Sequence, residues 1–343
     1  WSGEKSVELE GKKWKIIEIF AQGEGIGIIY ASLEKEGARI RYERFNENAE
    51  AVDKKILAQN IEFRPNDGFH LQASEDKQWV SIAYETQEHS KSFLLYNFTS
   101  DSVYYTLEAS SLLAEDQESS IGFMELSNTG KSYFYGNTKE GHGSKSKTHP
   151  FVLSVASSGK ISEKQILPFQ NELLTDPQIK MDNLNQRLIL GGLYAQKANE
   201  EPNMYAFAIL DHNDRLIKAT QTPVSETLLQ ERKGDQKKLG LNGSTLNLRD
   251  IILSKDGGFL LFFESTRELS RRPYFSAPDP AGQFANKWYD YYFDDILVAS
   301  FDPSGNLQWD HILHKRQFSQ DDEGLFSSFF VFRTSGLLRI IFN

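Results

Sequence analysis

The feature that most constrains this chain is a hairpin that keeps returning. Its unit is an apolar run, a short polar turn, and a strand opened by a single apolar residue. In the middle of the chain it reads Val152-Leu153-Ser154-Val155, then turn residues 156–160, then Ile161. It returns as Ala208-Ile209-Leu210 with turn 211–215 and Leu216, and as Val298-Ala299-Ser300-Phe301 with turn 302–306 and Leu307. Looser copies lie at 41–51 and 93–102. Gly, Asn and Asp in these turns are the residues that accept the positive φ of a tight hairpin. A second hairpin precedes each copy, as in Ile251-Ile252-Leu253, Ser254-Lys255-Asp256-Gly257-Gly258 and Phe259-Leu260-Leu261.

Two hairpins make four strands, and the pair repeats about every 55 residues over the first four copies, a spacing that belongs to propellers. The expected fold is therefore all-β. It is a single β-propeller domain over 1–343, of about six four-stranded blades at about 14–57, 61–108, 121–167, 178–221, 248–313 and 326–343. The sixth stops after its second strand. An open sheet edge must be covered. Either the N-terminal strand Val7-Glu8-Leu9-Glu10 is lent to the last blade, or the native chain continues beyond Asn343.

Composition narrows the function classes. The formal net charge is −10, from 38 Lys and Arg against 48 Asp and Glu. That is the wrong sign for nucleic acid or an anionic lipid surface. Cysteine is absent, which removes disulfides, thiolate nucleophiles and Cys-ligated zinc. It also fits an oxidising, extracytoplasmic compartment such as a periplasm or cell surface. Trp1 in place of Met suggests a processed N-terminus and points the same way. No apolar run approaches the roughly 18 residues of a membrane-spanning helix.

Local motifs assign no cofactor, no metal and no catalytic residue. Gly23-Glu24-Gly25-Ile26-Gly27 runs on into Ile28-Ile29-Tyr30 as strand, where a phosphate loop would need a helix. His142 and His149 flank a polar loop. His311 and His314 stand three apart, which in a strand puts them on opposite faces. Asp321-Asp322-Glu323 lacks the alternating ligands of a calcium loop. In the insertion 222–247, Ser225 is placed to cap a short helix, and the charged run 231–238 reads as a solvated loop.

Ser254-Lys255-Asp256-Gly257-Gly258 resembles the first half of the Asp box of sialidase-type propellers, with Leu261 where an aromatic should stand. Phe301-Asp302-Pro303-Ser304-Gly305-Asn306-Leu307-Gln308-Trp309 resembles the blade motif of quinoprotein-type and BamB-like propellers, which implies a docking role for Trp309. Here the turn is one residue shorter, and the other copies lack the Trp. The blade style also resembles exported propellers of Bacteroidota. These resemblances imply an exported propeller, and neither a quinone cofactor nor an assembly role.

A second insertion, about 265–292, sits inside the fifth blade. It carries Arg271, Arg272, Tyr274, Phe275, Trp288, Tyr289, Tyr291 and Tyr292, residue types enriched at binding hot spots. The expected function is a non-catalytic protein-binding or scaffold module of the cell envelope, working through one propeller face. Its partner is another protein, with carbohydrate as a further candidate. The alternative is a carbohydrate- or peptide-active enzyme with its site in the central channel.

Overall fold

The computed structural model describes residues 6–9, 12–32, 38–61, 70–85, 91–113, 119–140, 147–198, 200–239, 244–271, 288–322, 324, 327–334 and 337–342. They form six antiparallel sheets in chain order. The first has five strands: β1 (Ser6–Leu9), β2 (Lys12–Gln22), β3 (Gly25–Ser32), β4 (Ala38–Phe45) and β5 (Ala51–Ile61). The second is β6 (His70–Ala73), β7 (Trp79–Glu85), β8 (Lys91–Asn97) and β9 (Ser102–Glu108), followed by helix α1 (Ala109–Leu113). The third is β10 (Ser119–Leu126), β11 (Ser132–Glu140), β12 (Lys147–Val155) and β13 (Gln165–Ile166). The fourth is β14 (Leu174–Asp182), β15 (Arg187–Tyr194), β16 (Met204–Leu210) and β17 (Leu216–Pro223), followed by helix α2 (Glu226–Leu239). The fifth is β18 (Thr245–Leu253), β19 (Phe259–Arg271), β20 (Trp288–Phe301) and β21 (Leu307–Leu313), with β22 (Gln317–Gln320) added to β20. The sixth holds only β23 (Phe330–Arg333) and β24 (Leu338–Ile341).

Five apolar cores join successive sheets. Tyr42 and Ile29 meet Val80 and Tyr96 between the first and second. Phe93 and Leu95 meet Phe134 and Phe151 between the second and third. Leu188 and Leu210 meet Tyr135 and Val152 at the next junction, and Phe207 meets Phe259, Leu261 and Phe301 at the one after. Finally Phe262 and Val298 receive Phe329, Val331 and Ile340 from the sixth. The first strands also touch along the row, β6 with β10, β10 with β14 and β14 with β18, and among the described residues no pair of fourth strands meets comparably. Sheets stacked face to face and converging on their first strands are the blades of a β-propeller.

The repeated turn has one geometry. At 46–50, 127–131, 156–160, 211–215, 254–258 and 302–306, the N–H of the fourth residue donates to the first carbonyl, and the first N–H donates to the fifth carbonyl. The fourth residue has positive φ in all six: Ala49, Gly130, Gly159, Asp214, Gly257 and Gly305. This is a type I turn closed by a left-handed bulge residue. The opening side chain completes it, Asp211 Oδ1 accepting from the Asn213 and Arg215 N–H groups and Asp302 Oδ1 from Asn306 N–H at 2.7 Å. Turns then lock onto the preceding blade through a lysine. Lys55 reaches Asp101, Lys131 reaches Asp214 Oδ1 at 2.6 Å, and Lys218 reaches the Gly305 carbonyl at 3.2 Å.

Three expectations are corrected. Strand β1 is not lent to the last blade; it pairs with β2, Ser6 opposite Lys15 and Leu9 opposite Lys12, because the nearest edge by chain distance is that of its own hairpin. Among the described residues the sixth sheet accordingly holds two strands. The charged run from Glu231 belongs to helix α2 rather than to a loop, since Glu, Arg, Lys and Gln are good helix formers and Ser225 heads the helix with Oγ 3.4 Å from the Leu228 nitrogen. Trp309 does not dock between blades; it is 49% exposed on the outermost strand.

Gly305 (φ +71°) has Phe207 of the preceding blade where a Cβ would stand, 2.7 Å away, whereas Gly23 (φ +59°) has open space. Gly23→Ala is expected to cost about 1 kcal/mol, the left-handed penalty alone. Gly305→Ala should cost clearly more, read as the difference between the two urea midpoints. Equal midpoints would show that the turn does not bear on the neighbouring blade.

Candidate binding face

In an antiparallel meander, connections alternate between the two ends of the sheet. The tight turns from first to second and from third to fourth strand fall at one end. Helices α1 and α2, which follow fourth strands, fall at the other. The fifth blade is extended at that second end, because β19 and β20 stay paired far beyond the blade, from Phe259 opposite Phe301 to Arg271 opposite Trp288. Strand β22 pairs with the extension, Gln317 opposite Phe293 and Gln320 opposite Asp290. The result is a three-stranded ribbon rooted in the fifth blade.

Its root is a buried charge cluster. Lys315 Nζ lies 2.7 Å from Glu264 Oε1, both side chains wholly buried, and donates to the Phe293 carbonyl at 2.9 Å and Gln317 Oε1 at 2.6 Å. Glu264 Oε2 accepts from Arg249 Nε at 2.9 Å and from Ser328 Oγ at 2.6 Å. Burial pulls the Lys315 ammonium below its usual range against the pull of Glu264. Beside them, burial pushes the Asp294 carboxyl up, and the charge of Asp295 adds to the rise.

Above the root, alternation sorts the side chains onto two faces. One face carries Arg267, Leu269, Asp290, Tyr292, Phe318 and Gln320. Arg267 lies over the Tyr292 ring at 4.2 Å, Tyr292 meets Phe318 at 5.1 Å, and Gln320 Nε2 donates to Asp290 Oδ1 at 2.9 Å. Phe318 is 53% exposed and Leu269 is also exposed. The opposite face carries Tyr289 stacked on Tyr291 at 6.3 Å. Of the residues singled out from sequence, Tyr289, Tyr291 and Tyr292 therefore share this ribbon, with Arg271 and Trp288 paired in its backbone. Arg272, Tyr274 and Phe275 lie outside the described residues, as does His142. Sequence reasoning missed Arg267, Leu269 and Phe318. The alternation of 265–271 was legible, but the return of 317–320 to the same ribbon was not.

Helix α2 is clasped to this end of the fifth blade. His314 lies between Asp295 Oδ1 at 3.1 Å and Glu231 Oε1 of the helix at 2.8 Å, so it is a tether. No group of three or more His, Asp or Glu able to hold a metal occurs among the described residues. Asp321 and Asp322 act locally, accepting from the backbone N–H groups of Tyr289 and Gly324. No described helix is long and apolar enough to cross a membrane.

On the inner strands two described carboxylates are perturbed: burial pushes up Asp176 of β14, against the pull of Arg249, and it pushes up Glu125 further. Glu125 of β10 accepts from Gln72 Nε2 of β6 at 2.9 Å and from the Met181 N–H of β14. It thus ties three consecutive blades. Burial pushes its carboxyl up to about 7, against the lowering effects of Lys180, the Met181 bond and Lys77.

The sequence matches no protein-family profile and no curated protein. Among solved structures, an uncharacterized protein from Listeria monocytogenes EGD-e is similar at 8% identity and a TM-score of 0.43, over 91% of this chain and 70% of that one. The β-propeller domain of the Trilobed protease from Pyrococcus furiosus, which has an open velcro topology, is similar at 8% identity and a TM-score of 0.32, over 89% and 97%. TolB from Acinetobacter baumannii gives 11% identity and a TM-score of 0.38, over 89% and 55%, so this chain spans about half of that structure's length. At this similarity none of them assigns a function to this chain.

Two measurements follow. Lys315→Met leaves Glu264 charged and buried, and is expected to cost about 3–5 kcal/mol. Adding Glu264→Gln should recover much of that loss in chemical denaturation, and no recovery would show that the pair is not coupled. For Glu125, the folded carboxyl titrates near 7 and the unfolded one near 4.5. The folded state therefore holds the extra proton between those values, and stability falls as pH rises from about 4.5 to about 7. Glu125→Gln should match the parent at pH 4.5 and exceed it by about 3 kcal/mol at pH 8. A pH-independent difference would refute the burial account.

Proposed function

We propose that this protein is a non-catalytic binding module that captures another protein through the end of the propeller carrying the fifth-blade ribbon. The observation that carries the reading is the face formed by Arg267, Leu269, Tyr292 and Phe318. It is an Arg–Tyr–Phe stack held on paired strands, with exposed apolar surface at its edge. Rigid aromatic and Arg groups bury large area at small entropic cost, which is why such residues dominate interface energetics. The buried Lys315–Glu264 root fixes the angle at which the ribbon leaves the blade.

The compartment that fits best is extracytoplasmic, in keeping with a cysteine-free, acidic chain, and an envelope assembly is the natural setting for such a module. The enzymatic alternative needs a free acid or base in the channel. Glu125, whose pKa suits that task, is instead held from both neighbouring blades.

The test places the photo-crosslinker benzoylphenylalanine at position 318 in the intact chain and, as a control, at exposed position 184 in the fourth sheet. After incubation with the envelope fraction of the source organism, position 318 should give a discrete crosslinked partner, and position 184 should not. Arg267→Glu and Tyr292→Ala should reduce the yield at least ten-fold with unchanged far-UV circular dichroism. A partner captured equally by both positions, or untouched by both substitutions, would sink the proposal.

A further inference from the structure

Helix α2 buries an arginine where its own periodicity calls for an apolar residue. Leu228 packs into the core between the fourth and fifth blades, and residues four apart share one face of a helix. The next position on that face is Arg232, which is 7% exposed. Its Nη2 donates to the Ser244 carbonyl at 3.2 Å, which fixes the plane of the guanidinium. Burial pulls this group below the usual arginine range, against the charges of Glu201 and Asp295. Desolvation thus outweighs the acids nearby. Asp295 is itself engaged by His314, and Glu201 is exposed to water.

Arg232 forms one wall of a cavity of about 150 Å³ at the ribbon end of the propeller. Thr175 of β14 and Leu246 of β18 line it from the fourth and fifth blades, and Glu201 and Pro202 from the loop before β16. Leu246 is backed by the core of that junction. The cavity therefore sets a buried positive charge against a firm apolar surface.

We infer that this cavity binds an alkyl carboxylate, whose oxygens meet the Arg232 fork and whose chain lies against Pro202 and Leu246. The planar guanidinium matches the two oxygens of a carboxylate, and its five N–H donors can serve a ligand and the Ser244 carbonyl together. Phosphate or sulfate fits poorly, because oxygens turned toward Pro202 and Leu246 would lose water without gaining a partner. A cavity of this size holds about six heavy atoms, which is a carboxylate with a three-carbon chain. That chemistry occurs in a free short-chain acid and at the C-terminus of a polypeptide ending in a small aliphatic residue. The site is separate from the ribbon face and does not rest on the reading given for that face.

The test uses the intact chain with butyrate as probe and butyramide, its neutral isostere, as control. Binding is followed by the nitrogen chemical shift of the Arg232 Nε–H. Butyrate is expected to bind saturably and to move that signal, and butyramide to bind at least ten-fold more weakly, since a charge-assisted pair is lost. Arg232→Gln should abolish the preference for acid over amide. Glu201→Gln, at an exposed position whose replacement leaves the core intact, removes the competing acid. It should tighten butyrate roughly two-fold or more at low salt and leave butyramide unchanged. A fluorescein-labelled peptide ending in valine separates the two sources. If its free acid binds at least ten-fold tighter than butyrate and its C-terminal amide does not bind, the ligand is a polypeptide C-terminus. If butyrate binds and the peptide acid does not, the ligand is a free short-chain acid. The inference is overturned by absent saturable binding, by acid and amide binding alike, by an Arg232 signal that stays still while butyrate binds, or by weaker butyrate binding in Glu201→Gln.

Discussion

A third strand with apolar residues on both faces can exist in water only if something covers each face, and in this protein the neighbouring blades do so. Phe207 of β16 packs on Phe259 and Phe301 of the next blade, while Ala206 and Ala208 turn to the preceding one. Each blade is thus half of two cores. No blade is a stable unit alone, and the order of blades in space follows their order in the chain. The same requirement makes the outermost strands amphipathic.

The tight turns convert a local preference into long-range registration. A left-handed residue in the fourth position is a matter of backbone sterics within five residues. Its consequence is that the turn sits close against the preceding blade, where Gly130 lies on Trp79 and Gly305 on Phe207. Lysines then close the contact on carbonyls and carboxylates of the turn. Position 214 shows the economy of the device: Asp214 takes the left-handed conformation and also accepts from Lys131 Nζ and Ser154 Oγ.

Against that regular frame, the fifth blade carries the chemistry that regularity does not require. Charged groups are costly to bury unless paired, yet Glu264 and Lys315 are buried at the point where β19 and β20 leave the blade. Their partners come from β18, β20 and the segments after β21, so the cluster assembles only when all these segments are in place. Above it the ribbon holds Tyr292 between Arg267 and Phe318, a preorganised surface on paired strands.

Much of the frame was legible in the residues themselves. The turns at 211–215 and 302–306, the doubly apolar runs beside them and the period of about 55 residues all act within a few neighbours, and sterics and alternation suffice to read them. The helix after Ser225 was half legible: its cap was plain, but the charged run hid a helix because polarity alone does not distinguish helix from loop. Tyr289, Tyr291 and Tyr292 stood out by residue type, whereas Phe318 and Arg267 did not, since their role depends on β22 returning to β20. Pairing between distant segments also decided that β1 stays with β2 and that Trp309 remains in solvent. Sequence by itself therefore determined the repeated hairpin and with it the class of fold, because both are set by local backbone preference and by which residues must leave water. Only tertiary structure decided which edges are paired and which faces are left open, because those depend on competition between segments far apart in the chain.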